Sequence, residues 1–257
     1  MSPVVSLGQL AADLRAGVLF CTRLPVPAVA TITGTDIARA GWALPVAGAI
    51  VGLIAALVYG LARLADVPPF PAAGLTVAAT LVVTGCLHED GLADLADSFG
   101  ASARERKLEI MRDSKIGTYG VCALFMSLLL RSGALASIAD PALAAPVLVA
   151  THMAARAGMP LFMRWVPPAR ADGLSIGVGT PPRASATAAV LIGILALGIG
   201  LGPAAGVCAI ALIAVAFGSL AWLSVQQIGG QTGDVLGALE QIGEAIVLLV
   251  AAANIGG

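Results

Sequence analysis

Charge is scarce in this chain. Lys, Arg, Asp and Glu make up 11% of its 257 residues, against roughly 25% in a soluble domain. Aromatic residues are few as well, at 4%, with three Trp and two Tyr, and there are only two histidines. The four cysteines (Cys21, Cys86, Cys122, Cys208) are scattered, mostly in apolar runs. They have neither metal-ligand spacing nor the pattern of a disulfide framework, and read as small buried hydrophobes. A net charge of −1 gives no argument for nucleic acid as a partner. No Gly-rich dinucleotide fingerprint is present. A cleaved signal peptide is not expected, because Asp13 and Arg15 interrupt the N-terminal apolar run.

Apolar residues fill the gap: 58% of the chain is hydrophobic and the mean hydropathy is +0.95. Apolar stretches lie near 42–63, 71–87, 117–138, 142–163, 187–201, 203–225 and 235–254. Most approach the roughly 20 residues that cross a bilayer; the second and fifth are short. Pro141 and Pro203 punctuate two tight hairpins. The expected fold is all-α: a polytopic integral membrane protein of about seven transmembrane helices, with short cytoplasmic and interfacial helices, in one membrane domain over 1–257. Residues 6–24, which end at Pro25 and Pro27, suit an interfacial helix. So many apolar stretches with so little charge argue against a soluble domain with a large core. Alternating the spans puts every base except Arg63, Arg131 and Arg156 on one side. By the positive-inside rule that side is cytoplasmic.

The remaining charge is concentrated in 88–116, expected as a cytoplasmic loop. From His88 to Ser98 the spacing predicts a helix, with Asp90, Asp94 and Asp97 at i, i+4 and i+7 on one face. Like charges on one stripe repel, so the cluster needs cations. Hard carboxylate ligands plus substrate phosphates are how Mg²⁺ is usually held, and Glu89 is adjacent. A solvated acidic face is the plain alternative. Gly100 breaks the helix, and Ser102 with Glu105 reads as a capping box for a basic helix carrying Arg104, Arg106 and Lys107. Arg112, Ser114, Lys115 and Thr118 then precede or open the next helix, where phosphate can bind backbone N–H groups.

Two further cytoplasmic segments are expected to join this site. The 164–186 loop contains Arg170 and Asp172 and is placed as a lid over it, or as a plain connector. Asp234 opens the final helix, as a cap or a metal ligand. Arg131, Arg156 and Glu244 lie within apolar spans, where charge is costly and pairs or lines a pathway. Arg156 is read as a phosphate contact or the partner of a carboxylate. His152, one turn before it, is read as a ligand-facing or a hydrogen-bonded core histidine.

The runs HEDGLADLADSFG (88–100) and EIMRDSKIGTYG (109–120) closely resemble the cobalamin synthase family, the adenosylcobinamide-GDP ribazoletransferases. FCTRLPVP (20–27), PPARADGL (167–174) and IGGQTGDVLGALEQIGE (228–244) extend the likeness in family order over nearly the whole chain. The resemblance implies an enzyme at the cell inner membrane, with catalytic loops on the cytoplasmic side. It would join α-ribazole or its 5′-phosphate to adenosylcobinamide-GDP, release GMP and give adenosylcobalamin or its 5′-phosphate, in the last steps of nucleotide-loop assembly. The implied cofactor is Mg²⁺, held among Glu89, Asp90, Asp94, Asp97 and Asp234. Asp90, Asp94, His88 and Lys115 would be catalytic, with the hydroxyl proton going to a carboxylate or to His88. Arg112, Ser114, Lys115, Thr118, Arg156, Arg170 and Asp172 would contact substrate. Expected partners are these small molecules and membrane lipid, with a homo-oligomer or a complex with other pathway enzymes left open. The rival expectation is a secondary transporter coupled through the intramembrane acids.

Overall fold

The computed structural model describes residues 6–27, 32–173 and 177–255. Among them the fold is helical, with one isolated parallel bridge between Pro168 and Gln231. Helix α1 is Leu7–Cys21, and α2, Gly34–Arg39, runs through a 3₁₀ turn at Ala40–Ala43 into α3, Leu44–Leu64. Then come α4 (Pro69–Thr84), α5 (Leu87–Ser98), α6 (Arg104–Ile110), α7 (Thr118–Ile138), α8 (Pro141–Ala157) and α9 (Met159–Trp165). The last three are α10 (Arg183–Leu201), α11 (Pro203–Ile228) and α12 (Gly233–Ile255). Six segments are long and apolar enough to cross a membrane: α2–α3, α7, α8–α9, α10, α11 and α12. A seventh crossing results if α4 and α5, bent by 93° at their junction, count as one. The chain is a multi-pass membrane protein, and large apolar side chains such as Leu57, Phe125, Ile199 and Val215 stand exposed on the outside of the bundle, as lipid-facing residues do.

Small residues let the spans approach. A Cβ on Gly48 of α3 would lie 2.1 Å from the His152 carbonyl oxygen of α8, and one on Gly52 would lie 2.6 Å from Val149 Cα. This is the close backbone approach that drives helix association when lipid removes the hydrophobic advantage of larger side chains. At one end of the bundle Arg63 donates to the carbonyls of Val67 (2.6 Å) and Ala139 (3.3 Å), tying two hairpin turns together. At the other end Trp42 N–H donates to Ser185 Oγ at 2.8 Å. There Asp13 of α1 accepts from Arg39 (2.9 Å) and the Trp42 indole (3.0 Å).

The acidic segment departs from expectation. It is not a surface loop: α5 packs within the bundle, with His88 and Glu89 buried near its start and Asp97 and Ser98 at its end. The turn that permits this has two left-handed residues, Gly85 (φ 64) and Cys86 (φ 57). The second is not glycine, a conformation that costs roughly 1–2 kcal/mol. Arg23, from the FCTRLPVP run, packs on this turn and donates its N–H to the Val83 carbonyl at 2.7 Å. The expected capping box is absent. Helix α6 begins at Arg104, with Ala103 at the N-cap and no side-chain cap hydrogen bond. Lys107, expected on a charged face, is buried with its ammonium 5.4 Å over the Phe99 ring. Of the PPARADGL run, Leu174 lies outside the described residues.

Candidate active site

A cleft of about 530 Å³ opens between α5, the 111–116 turn and the start of α12. Glu89, Asp90, Asp94 and Asp234 line it, together with Arg112, Asp113, Ser114 and Lys115 of the turn. Asp234 reaches this cleft because α5 and α12 touch. A Cβ on Gly91 would lie 2.9 Å from Asp234 Cα, so only glycine permits the contact. Thr232, not Asp234, caps α12, since its hydroxyl accepts from Val235 N–H at 3.3 Å. Thr232 also donates to Asp234 Oδ2 at 3.1 Å, which orients that carboxylate. A narrower cleft of about 110 Å³ adjoins at Asp90 and Asp234 and is lined also by His88 and Arg170.

The structure thus brings Glu89, Asp90, Asp94, Asp234, Ser114, Arg112 and Lys115 to one volume, with His88 and Arg170 beside it. Four expected residues stand elsewhere. Asp97 accepts from the backbone N–H of Gly117 (2.6 Å) and Gly120 (2.8 Å), so both oxygens satisfy the N-terminus of α7. Asp172 is exposed and takes a forked ion pair from Arg112, at 2.5 and 2.7 Å, which links the 167–173 loop to the turn. Arg156 is buried, 2.7 Å from Glu240 and 3.2 Å from Glu244, so it pairs with carboxylates instead of facing the cleft. Thr118 is exposed as the first residue of α7 and is not part of the cleft wall.

Comparison with known proteins identifies the family. The family model described as cobalamin-5-phosphate synthase matches residues 13–252. The chain belongs to this family. A Bradyrhizobium diazoefficiens protein named adenosylcobinamide-GDP ribazoletransferase is 53% identical over 249 residues, covering 96% of both chains. Proteins of the same name from Mesorhizobium japonicum and Azorhizobium caulinodans are 46% and 43% identical, covering 95% and 94% of this chain and 93% and 95% of their own. No solved structure matches. As a member of the cobalamin-5-phosphate synthase family the chain is a transferase of cobalamin nucleotide-loop assembly, acting on small-molecule substrates.

Several residues of this family member escaped sequence reasoning. Gln241 is buried and donates 2.9 Å to Glu89 Oε1 and 3.0 Å to Glu240 Oε2. Arg131 holds the same Glu89 oxygen at 3.1 Å and Glu244 at 2.7 Å. Glu89 is thereby fixed with Oε2 buried and without a hydrogen-bond partner among the described residues. A Gln beside a Glu within an apolar span was the available signal. Arg104 was read as part of a basic face. It donates instead to the carbonyls of Ile228 (2.8 Å) and Ala169 (2.7 Å), pinning the 167–170 segment across the end of α11.

Proposed function

We propose that the chain joins α-ribazole, or its 5′-phosphate, to adenosylcobinamide-GDP with release of GMP, using Mg²⁺ in the wide cleft. The observation that carries this reading is that Asp90, Asp94 and Asp234 line one cleft together with Lys115 and Ser114. A hydroxyl oxygen of the riboside bonds to the diphosphate phosphorus next to the corrinoid. The bond from that phosphorus to the bridging oxygen breaks, and its electron pair leaves with GMP. The hydroxyl proton goes to a cleft carboxylate and on to water. Such a transfer needs positioning and charge neutralisation more than covalent help from the protein.

The residues present fit the metal. They are hard oxygen donors, and Glu89 Oε2 is a buried acceptor with no partner among the described residues. Asp90, Asp94, Asp234 and Glu89 would hold Mg²⁺, which when bound would neutralise charge on the diphosphate. Lys115 and the Ser114 hydroxyl bind phosphate oxygens, and Arg112, already held by Asp172, lines the same cleft. His152, Glu240 and Glu244 also offer three clustered ligand atoms. Arg131 and Arg156 already share those carboxylates, which leaves little charge for a divalent ion. The same pairing removes the reason for a transporter reading, since these intramembrane acids are internally matched.

The cleft faces the cytoplasm of the inner membrane in this reading, on the strength of the lysine and arginine bias. Purified protein in detergent releases GMP from the two substrates with a rate that saturates in Mg²⁺. No GMP release with both substrates and Mg²⁺ present refutes the reading. A single cysteine at Ala103 labels from the cytoplasm and one at Val67 from the opposite side.

A further inference from the structure

The narrower cleft has a composition unlike that of the wide one. Phe20 of α1 and Met159 and Met163 of α9 are part of its apolar lining, and besides the shared Asp90 and Asp234 its polar lining is His88 and Arg170. Those two polar groups are unusual. His88 is 2% exposed, and neither ring nitrogen has a hydrogen-bond partner among the described residues. Its Nδ1 lies 3.7 Å from Glu240 Oε2, beyond a hydrogen bond. Arg170 Nη1 is likewise buried without a partner, while Nη2 is 3.8 Å from Asp234. Buried polar groups in native proteins are almost always paired. Two unpaired ones in one cleft indicate that a ligand completes them.

Resting on the transferase reading, we propose that this narrower cleft is the acceptor subsite. It holds the aromatic base of a riboside between Phe20, Met159 and Met163, with the sugar oxygens hydrogen-bonded to His88 and Arg170. Thioether sulfurs pack well against aromatic rings, and at about 110 Å³ the cleft is of a size for one planar ring system, not for a corrinoid or a nucleoside diphosphate. The shared wall of Asp90 and Asp234 then becomes the meeting point. The riboside hydroxyl emerges there from one side, and the diphosphate lies on the other, in the wide cleft. An in-line displacement needs this arrangement, with attacking and leaving oxygens on opposite sides of the phosphorus. His88 acts by orienting the sugar through hydrogen bonds.

The test uses the full chain in detergent with Mg²⁺. GMP release is measured against α-ribazole at saturating adenosylcobinamide-GDP and the reverse, and α-ribazole binding to the otherwise unliganded protein is measured by equilibrium dialysis. Met163→Trp fills the cleft, and His88→Asn removes the imidazole while keeping a small polar side chain. Both raise KM for α-ribazole at least tenfold and leave KM for adenosylcobinamide-GDP within twofold; both weaken α-ribazole binding in dialysis. An unchanged α-ribazole KM, or an equal rise in both KM values, overturns the subsite. Should Met163→Trp fail to fold, His88→Asn alone decides. Should the wild type release no GMP, the transferase reading fails, and dialysis still decides the subsite: α-ribazole affinity that survives both substitutions overturns it.

Discussion

Two groups of charged side chains lie side by side in this molecule, and they are built oppositely. The interior group is Arg131 and Arg156 with Glu89, Glu240, Glu244 and His152. Every carboxylate in it has a guanidinium within 3.2 Å, and His152 lies 2.5 Å from Glu244. The cleft group is Asp90, Asp94 and Asp234. Among the described residues Asp90 and Asp94 make no ion pair, and Asp234 has only Arg170 at 3.8 Å. Burial explains the difference. A charge inside a membrane domain is tolerated when matched, whereas carboxylates beside a cleft can stay unpaired because water reaches them. Glu89 belongs to both groups: one oxygen is in the network, and the residue also lines the cleft.

The largest effect comes from opening the closed group. Arg156→Ala leaves Glu240 without a guanidinium, while Glu244 keeps Arg131, and the unmatched buried charge costs about 3–5 kcal/mol of stability. The expected outcome is a large fall in melting temperature in detergent, or loss of folded protein. Arg156→Met combined with Glu240→Gln removes one charge of each sign and recovers more than half of that loss. Equal melting temperatures for wild type and Arg156→Ala erase the distinction between the two groups.

Substitutions in the open group act on turnover and not on stability. Asp90→Ala and Asp94→Ala relieve repulsion, so the melting temperature holds or rises while GMP release falls at least about a hundredfold, roughly 2.7 kcal/mol of barrier. Near-normal rates at low Mg²⁺ remove both from the metal-ligand set. Asp234→Asn keeps the shape and the Thr232 contact. Turnover falls about tenfold, close to 1.4 kcal/mol, and the Mg²⁺ needed for half-maximal rate rises. Unchanged kinetics in a folded Asp234→Asn protein leave Asp234 with only its structural contacts to Thr232 and Arg170.

The difference between the groups also marks what the sequence could disclose. Span number followed from hydropathy, because lipid demands long apolar helices whatever their packing. Asp90 and Asp94 were legible from i, i+4 spacing. Asp97 shared that spacing, yet it caps α7, because i+7 on a short helix brings it to Gly117 and Gly120. Glu244, within an apolar span where charge pairs or lines a pathway, pairs with both Arg131 and Arg156. The helix from His88 to Ser98 was legible, but the bend at Gly85 and Cys86 left no periodic trace, so the burial of its start was not. Gln241 is placed by contacts across more than a hundred residues of chain, which spacing along one helix cannot show.

The smallest effect separates a motif from its geometry. Ser102 and Glu105 have the spacing of a capping box, and a cap at the start of α6 would be worth about 1 kcal/mol. In the structure the chain enters α6 one residue later, at an Ala103 cap, and both side chains are exposed. What fixes α6 is the pair of bonds from Arg104 to Ile228 and Ala169 and the burial of Lys107 under Phe99. Ser102→Ala therefore changes stability by less than about 0.5 kcal/mol, as a surface substitution does. Arg104→Ala loosens the 167–170 segment and raises the KM of a substrate contacting Arg170. A Ser102→Ala loss near 1 kcal/mol, read from paired detergent melts, would restore the capping box and shift α6 by a residue.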